Sequence, residues 1–135
     1  MTNLYAIAET NRIPVYRRSI PITKSVSVPD AVCLDNCLFG KDETTRLGHE
    51  LGHVMRGAFY TMRDPAFIRR RMENEADRWE IKKLVPKDEL RSAFKQGYTE
   101  IWQLSDYFGV SESLIQKALC LYINGNLALE YYGVI

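Results

Sequence analysis

Leu47-Gly48-His49-Glu50-Leu51-Gly52-His53-Val54 is the stretch on which the reading of this chain turns. It holds the pattern H-E-x-x-H, and His49 and His53 are the chain's two histidines. On a helix, residues i and i+4 stand one turn apart on the same face, so both imidazoles reach a single metal ion. Zinc suits imidazole nitrogen and the tetrahedral geometry that such a pair begins. Glu50 falls beside the open coordination position, where a carboxylate serves as general base toward a water. The bland alternative is a pair of ordinary histidines on an amphipathic helix. Leu47, Leu51, Val54 and Ala58 form a stripe that reads as the core face. At about 100° per residue, His49 and His53 lie opposite that stripe and Glu50 lies between the faces, so the histidines line either a cleft or bare solvent. Gly48 and Gly52 each cost a helix interior about 1 kcal/mol relative to Ala. Two such glycines are expected where another backbone packs tightly against the helix.

A catalytic zinc takes three protein ligands and keeps one position open. With no histidine left, the third ligand must be a carboxylate, and Glu73-Asn74-Glu75-Ala76-Asp77 offers three. Glu73 and Asp77 share a helical face one turn apart. One would bind the metal, and the other would accept a hydrogen bond from the free nitrogen of a ligating histidine. Glu75 is the rival, because it sits on the apolar stripe of Ile68, Met72, Ala76 and Trp79, and a buried carboxylate needs a partner. A third possibility is a solvated acidic face balancing Arg69, Arg70, Arg71 and Arg78. Cys33 and Cys37 were weighed as ligands too, but no second pair with ligand spacing accompanies them. Tyr60, just after the zinc helix, is a candidate oxyanion donor, though with eight tyrosines in the chain the role stays unassigned.

Working outward, residues 3–11 fit a short helix. Three short strands are expected around Ile13–Tyr16, Val26–Val28 and Ala31–Leu34, where β-branched residues alternate between Pro21 and Pro29. Asp35, Asn36 and Gly40 mark the exit turn. The zinc helix is expected from Glu43 to Met55 or Arg56, with Asp42 as N-cap and Gly57 as its stop. A second long helix fits Ala66 to Leu84, ended by Pro86. Shorter helices fit 88–96, 100–108 and 111–123. The change from strand-like to helical pattern near residue 42 predicts an α+β fold: a small three-stranded sheet, a zincin-like active-site helix, then helices. Two units are expected, residues 1–86 as the zincin-like part and residues 87–135 as a helical segment packed on it.

The totals exclude several classes. The 135 residues are 46% hydrophobic and 26% charged, an ordinary globular balance. A net charge of +1 gives no field directed at nucleic acid or an anionic membrane. No apolar run approaches a membrane span. The segment Met1–Thr10 lacks the form of a signal peptide, and three cysteines without a framework spacing read as reduced thiols. A cytoplasmic protein is expected.

The chain resembles the ImmA/IrrE family of small zinc peptidases of bacteria, phages and integrative conjugative elements. The resemblance is carried by Ala31-Val32-Cys33-Leu34-Asp35, His49-Glu50-Leu51-Gly52-His53-Val54, Glu73-Asn74-Glu75-Ala76-Asp77, Leu84-Val85-Pro86 and Leu104-Ser105-Asp106-Tyr107-Phe108-Gly109-Val110-Ser111. It implies that Glu73 is the third zinc ligand and Glu50 the catalytic base of a gluzincin-type metallo-endopeptidase. It also implies a substrate, a helix-turn-helix transcriptional repressor of a phage or mobile element. One departure is that Trp79-Glu80 stand where the family often has Phe-Ala.

The segment from Ile101 to Leu119 has a helix-turn-helix pattern, with Gly109 at the turn and Ser111 as N-cap. Its second helix carries Glu112, Ser113, Gln116 and Lys117 rather than a basic row, so direct DNA binding is not expected and a packing or docking role is. A non-cleaving anti-repressor, or a DNA-binding regulator with a vestigial zinc site, is the alternative function.

Overall fold

The computed structural model describes residues 2–125; the end of the expected second unit, 126–135, lies outside them. The fold is α+β, with a three-stranded sheet and six helices among the described residues. Strands β1 (Val15–Arg18), β2 (Ser25–Val28) and β3 (Ala31–Asp35) are ordered β1-β3-β2. β3 is central, parallel to β1 and antiparallel to β2. Pro29 and Asp30 make the tight turn from β2 to β3, and the register pairs Val28 with Ala31. Val32 and Leu34 point to one side and are fully buried there, as the two-residue period of a strand requires.

The first strand starts two residues later than its sequence pattern predicts. Pro14 has no N–H to give a ladder. Its carbonyl still accepts from the Val32 amide at 3.0 Å, so pairing opens there and runs on to Arg18. Ile13 turns into the core instead.

Six helices follow the expected order: α1 (Leu4–Thr10), α2 (Gly40–Arg56), α3 (Ala66–Leu84), α4 (Lys87–Lys95), α5 (Ile101–Phe108) and α6 (Glu112–Asn124). The expected cap of α2 is corrected. The helix begins at Gly40 with Phe39 at the cap, and Asp42 lies in the first turn with Glu43. There the two acids meet the partial positive charge of the helix start, which explains why an acidic pair stands at that point without acting as a cap. The other end is as expected: Gly57 takes φ +61° and closes α2.

α2 is the centre of the molecule, packed against β2 and β3 on one side and α3 on the other. It is therefore buried over much more than one stripe. Leu47 and Leu51 are in the core, but so are Gly48, Glu50, Gly52 and His53. The two glycines allow this. A Cβ on Gly52 would stand 2.5 Å from the Ala76 carbonyl oxygen, so here the α3 backbone does press against α2. At Gly48 the neighbour is a side chain, with Glu80 Oε2 2.7 Å from the position of a Cβ.

The hydrophobic core is one cluster, running from Leu4 through Leu34, Leu51 and Ile81 to Leu104, Ile115 and Leu121. α5 and α6 join it through Leu104, Phe108, Val110, Leu114, Ile115 and Ala118. Ser111 caps α6, its hydroxyl accepting from the Leu114 amide at 3.3 Å. Of the aromatic residues of α5, Trp102 is exposed, Tyr107 is half-buried and Phe108 is buried.

Candidate metal centre

The i, i+4 spacing on α2 brings the His49 and His53 rings into edge contact, with their Nε2 atoms 3.2 Å apart. α3 crosses this face and delivers Glu73. Its Oε1 lies 2.9 Å from His49 Nε2 and its Oε2 lies 3.1 Å from His53 Nε2. The tight Gly52–Ala76 crossing sets how close α3 comes. Asp77, one turn beyond Glu73, places Oδ1 2.9 Å from His49 Nδ1.

The outward-facing nitrogens fix the tautomers. His53 Nδ1 is 2.6 Å from the Ala58 carbonyl, which only accepts, so that nitrogen donates. His49 Nδ1 likewise donates to Asp77, whose carboxyl is held below its usual range. Burial opposes that ionisation, but His49 and Lys117 outweigh it. In their neutral forms both rings then turn bare Nε2 lone pairs toward each other and toward the Glu73 carboxylate. Three acceptors in van der Waals contact are stable only around a cation. A tetrahedral ion with bonds of roughly 2.0–2.1 Å calls for donors about 3.3 Å apart, close to the separations here. The residues fit a metal.

The same field acts on protons. Burial disfavours a charged His49, yet its hydrogen bonds to Asp77 and Glu73 prevail and push the imidazole up to about 11. For His53 too, burial works against the cation and is overcome, by Glu73 and the Ala58 carbonyl. Glu73 is held well below the carboxylate range, burial being outweighed by the two histidines and by Tyr60. Tyr60 donates to Glu73 Oε2 at 2.8 Å, and its own hydroxyl is pushed up to about 12 by burial and by that carboxylate. Tyr60 thus stands beside the centre, as its position after α2 promised, but with its donor engaged on Glu73.

Glu75 is not part of the site. It pairs with Arg56 at 3.2 Å, and its side chain is 40% exposed. Two residues along a helix is a turn of about 200°, which carries it to the far side from Glu73. Of the apolar stripe Ile68, Met72, Ala76 and Trp79, only Ala76 is buried. The buried face of α3 is Asn74, Ala76, Asp77, Glu80, Ile81 and Leu84, largely polar in its first half where it borders the candidate metal site.

Glu50 lies beside the histidines, 7% exposed, with Oε2 accepting from the Ser25 hydroxyl at 2.7 Å. Two open cavities flank the centre. One is lined by β2 (Ser25, Val26, Ser27), Glu50 and Tyr60; the other by Asp77, Glu80 and the start of α6. Arg46, His49 and Glu73 line both, so the candidate metal position lies between the two cavities.

Three further residues near the site were not assigned to it from the sequence. Ser25 reaches it from the edge of the sheet. Lys117 reaches it from α6, with Nζ 3.2 Å from Asp77 Oδ2, so the one basic residue of that helix start points inward. Glu80 is 2% exposed, its Oε2 has no hydrogen-bond partner, and burial pushes its carboxyl well above the usual range. Only Glu80 was foreshadowed, as a departure from the family pattern.

Among the described residues no helix is long and apolar enough to cross a membrane. Among curated proteins none matches the chain significantly. The family model of the IrrE N-terminal-like domain, Peptidase M78, matches residues 17–119, a span that includes the end of β1, all of β2 and β3, both metal-site helices and most of α6. With that match, and with two histidines and a glutamate arranged to hold a metal, the chain belongs to the Peptidase M78 family of metallopeptidase-like domains.

Proposed function

We propose that this chain is a zinc-dependent endopeptidase of gluzincin type that hydrolyses peptide bonds in a regulatory protein, a helix-turn-helix transcriptional repressor of a phage or mobile element. The observation that carries the reading is the convergence of His49 Nε2, His53 Nε2 and Glu73 beside an independent carboxylate, Glu50, in an open cleft. A site that only stabilised the fold would close its fourth position and have no use for Glu50.

A zinc ion held by His49, His53 and Glu73 supplies Lewis-acid polarisation of a water and a peptide carbonyl. Glu50 takes the proton of the attacking water and passes it to the leaving amine. Asp77 and the Ala58 carbonyl hold the two imidazoles in the tautomers that leave Nε2 free. The free edge of β2 lines the cleft, and an extended substrate segment pairs there by main-chain hydrogen bonds. The three free thiols suit a reducing compartment, the cytoplasm.

The test is incubation of the zinc-loaded protein with the repressor encoded beside its gene. Wild type is expected to cut it. Glu50→Gln is expected to cut about 10²–10⁴-fold more slowly with the same zinc content, since it removes the base and no ligand. Equal single-turnover rates would overturn the mechanism.

A further inference from the structure

We infer that Ser25 is a positioning residue for the general base: its hydroxyl, 2.7 Å from Glu50 Oε2, holds one carboxylate oxygen and leaves the other to face the water. The inference rests on the peptidase reading and adds a residue to it.

Ser25 is 7% exposed and opens β2. Its backbone is fixed from the turn before it. Lys24 takes φ +66°, a conformation few residues other than glycine adopt. The Lys24 amide donates to the Ile20 carbonyl at 2.9 Å, and the Lys24 carbonyl accepts from the Asp35 amide at 2.8 Å. The neighbouring strand and the turn thus clamp the residue that carries Ser25. A serine hydroxyl has one proton to give, and here it goes to Glu50.

A carboxylate has two equivalent oxygens and a nearly free terminal torsion. A base that turns about that torsion spends part of its time misaligned, and small misplacements at a reacting centre are costly. Tying Oε2 to a rigid strand removes that freedom. The strand is also the one along which the substrate is laid, so alignment of the peptide and of the base share one support.

The test uses zinc-loaded wild type, Ser25→Ala and Ser25→Thr, with acetohydroxamate as probe. This compound chelates a metal and gives its proton to an adjacent base, so its calorimetric affinity reports the placement of Glu50 without any cleavage. Ser25→Ala is expected to weaken acetohydroxamate binding and to lower kcat on the cut repressor, each about 10- to 100-fold, as loss of a hydrogen bond to a charged group predicts. KM and zinc content should stay unchanged, because Ser25 touches none of the three metal-site residues. Ser25→Thr, which keeps the hydroxyl, should restore both. Wild-type affinity and kcat in Ser25→Ala would overturn the inference alone, and so would a loss of zinc or of folded protein in that variant without rescue by Ser25→Thr. A wild type that loads zinc but neither binds acetohydroxamate nor cuts the repressor would overturn the peptidase reading and this inference with it.

Discussion

The α2–α3 pair and the α5–α6 pair are both helix packings, built on opposite principles. α5 and α6 meet through Leu104, Phe108, Leu114, Ile115 and Ala118, with an N-cap serine and a left-handed glycine at the turn. Each local choice there agrees with the fold. α2 and α3 meet through Gly48, Gly52, Ala76, Asp77, Glu80 and the candidate metal-site residues. That interface buries charge and gives up side-chain volume to bring His49, His53 and Glu73 together. One pair is organised for stability, the other for chemistry at some cost in stability.

The sharpest way to break this contrast is to remove ligands from α3. Glu73→Ala is expected to weaken zinc binding by more than the 10–100-fold that loss of Asp77, an outer partner, should produce. Glu75→Ala should leave it unchanged, because that side chain faces Arg56. Chelator-competition titrations of the three purified variants decide the order, and zinc loss in Glu75→Ala with retention in Glu73→Ala would reverse the assignment.

Stability should divide the two pairs differently. Ile115→Ala empties a fully buried position in α6 and should cost about 2–5 kcal/mol. Gly52→Ala adds a single carbon against the α3 backbone and should cost about 1–3 kcal/mol. Urea unfolding of the metal-free variants measures both. A neutral Gly52→Ala would mean that α3 moves away freely, and the donor geometry would then have to survive that movement.

A further test lies in pH dependence. In metal-free protein, His49 is raised from 6.5 to about 11, so its contribution is complete below about 6.5 and is lost as pH rises toward 11. Glu73 has the opposite sign: its contribution is complete above about 4.5 and fades on acidification. With zinc the histidines must shed their protons, so the stabilisation by metal should grow as pH rises from 6.5. Thermal midpoints across pH 6–10, with zinc and with chelator, should therefore diverge. Parallel curves would contradict a proton and a metal sharing one position.

Against this background it is clear why some features were legible in the sequence and others not. α2 announced itself because His49, Glu50, His53 and Gly57 act within one helix, and helical spacing is written in sequence. Asp77 was legible as the residue one turn after Glu73. The placement of Glu75 failed because periodicity assumes that apolar residues mark the buried face, and α3 buries a polar one. Ser25 and Lys117 were silent for a different reason. Each meets the site across a long stretch of chain, and a serine in a strand or a lysine on a helix is unremarkable until the packing is known. β1 was misplaced by two residues because Pro14 joins the ladder through its carbonyl alone.

His53 and Ala58 make a closed exchange around the Gly57 turn. The Ala58 amide donates to the His53 carbonyl at 2.9 Å, and the Ala58 carbonyl receives the His53 ring N–H. His49 is oriented instead by the Asp77 side chain. The two histidines therefore depend unequally on the identity of a neighbouring side chain. Any residue at position 58 that keeps the turn presents the same carbonyl, so the support of His53 is insulated from mutation. Replacement at position 77 alters the support of His49 directly. A substitution that reorients the histidines therefore acts more readily through Asp77, on the α3 side of the centre, than through position 58.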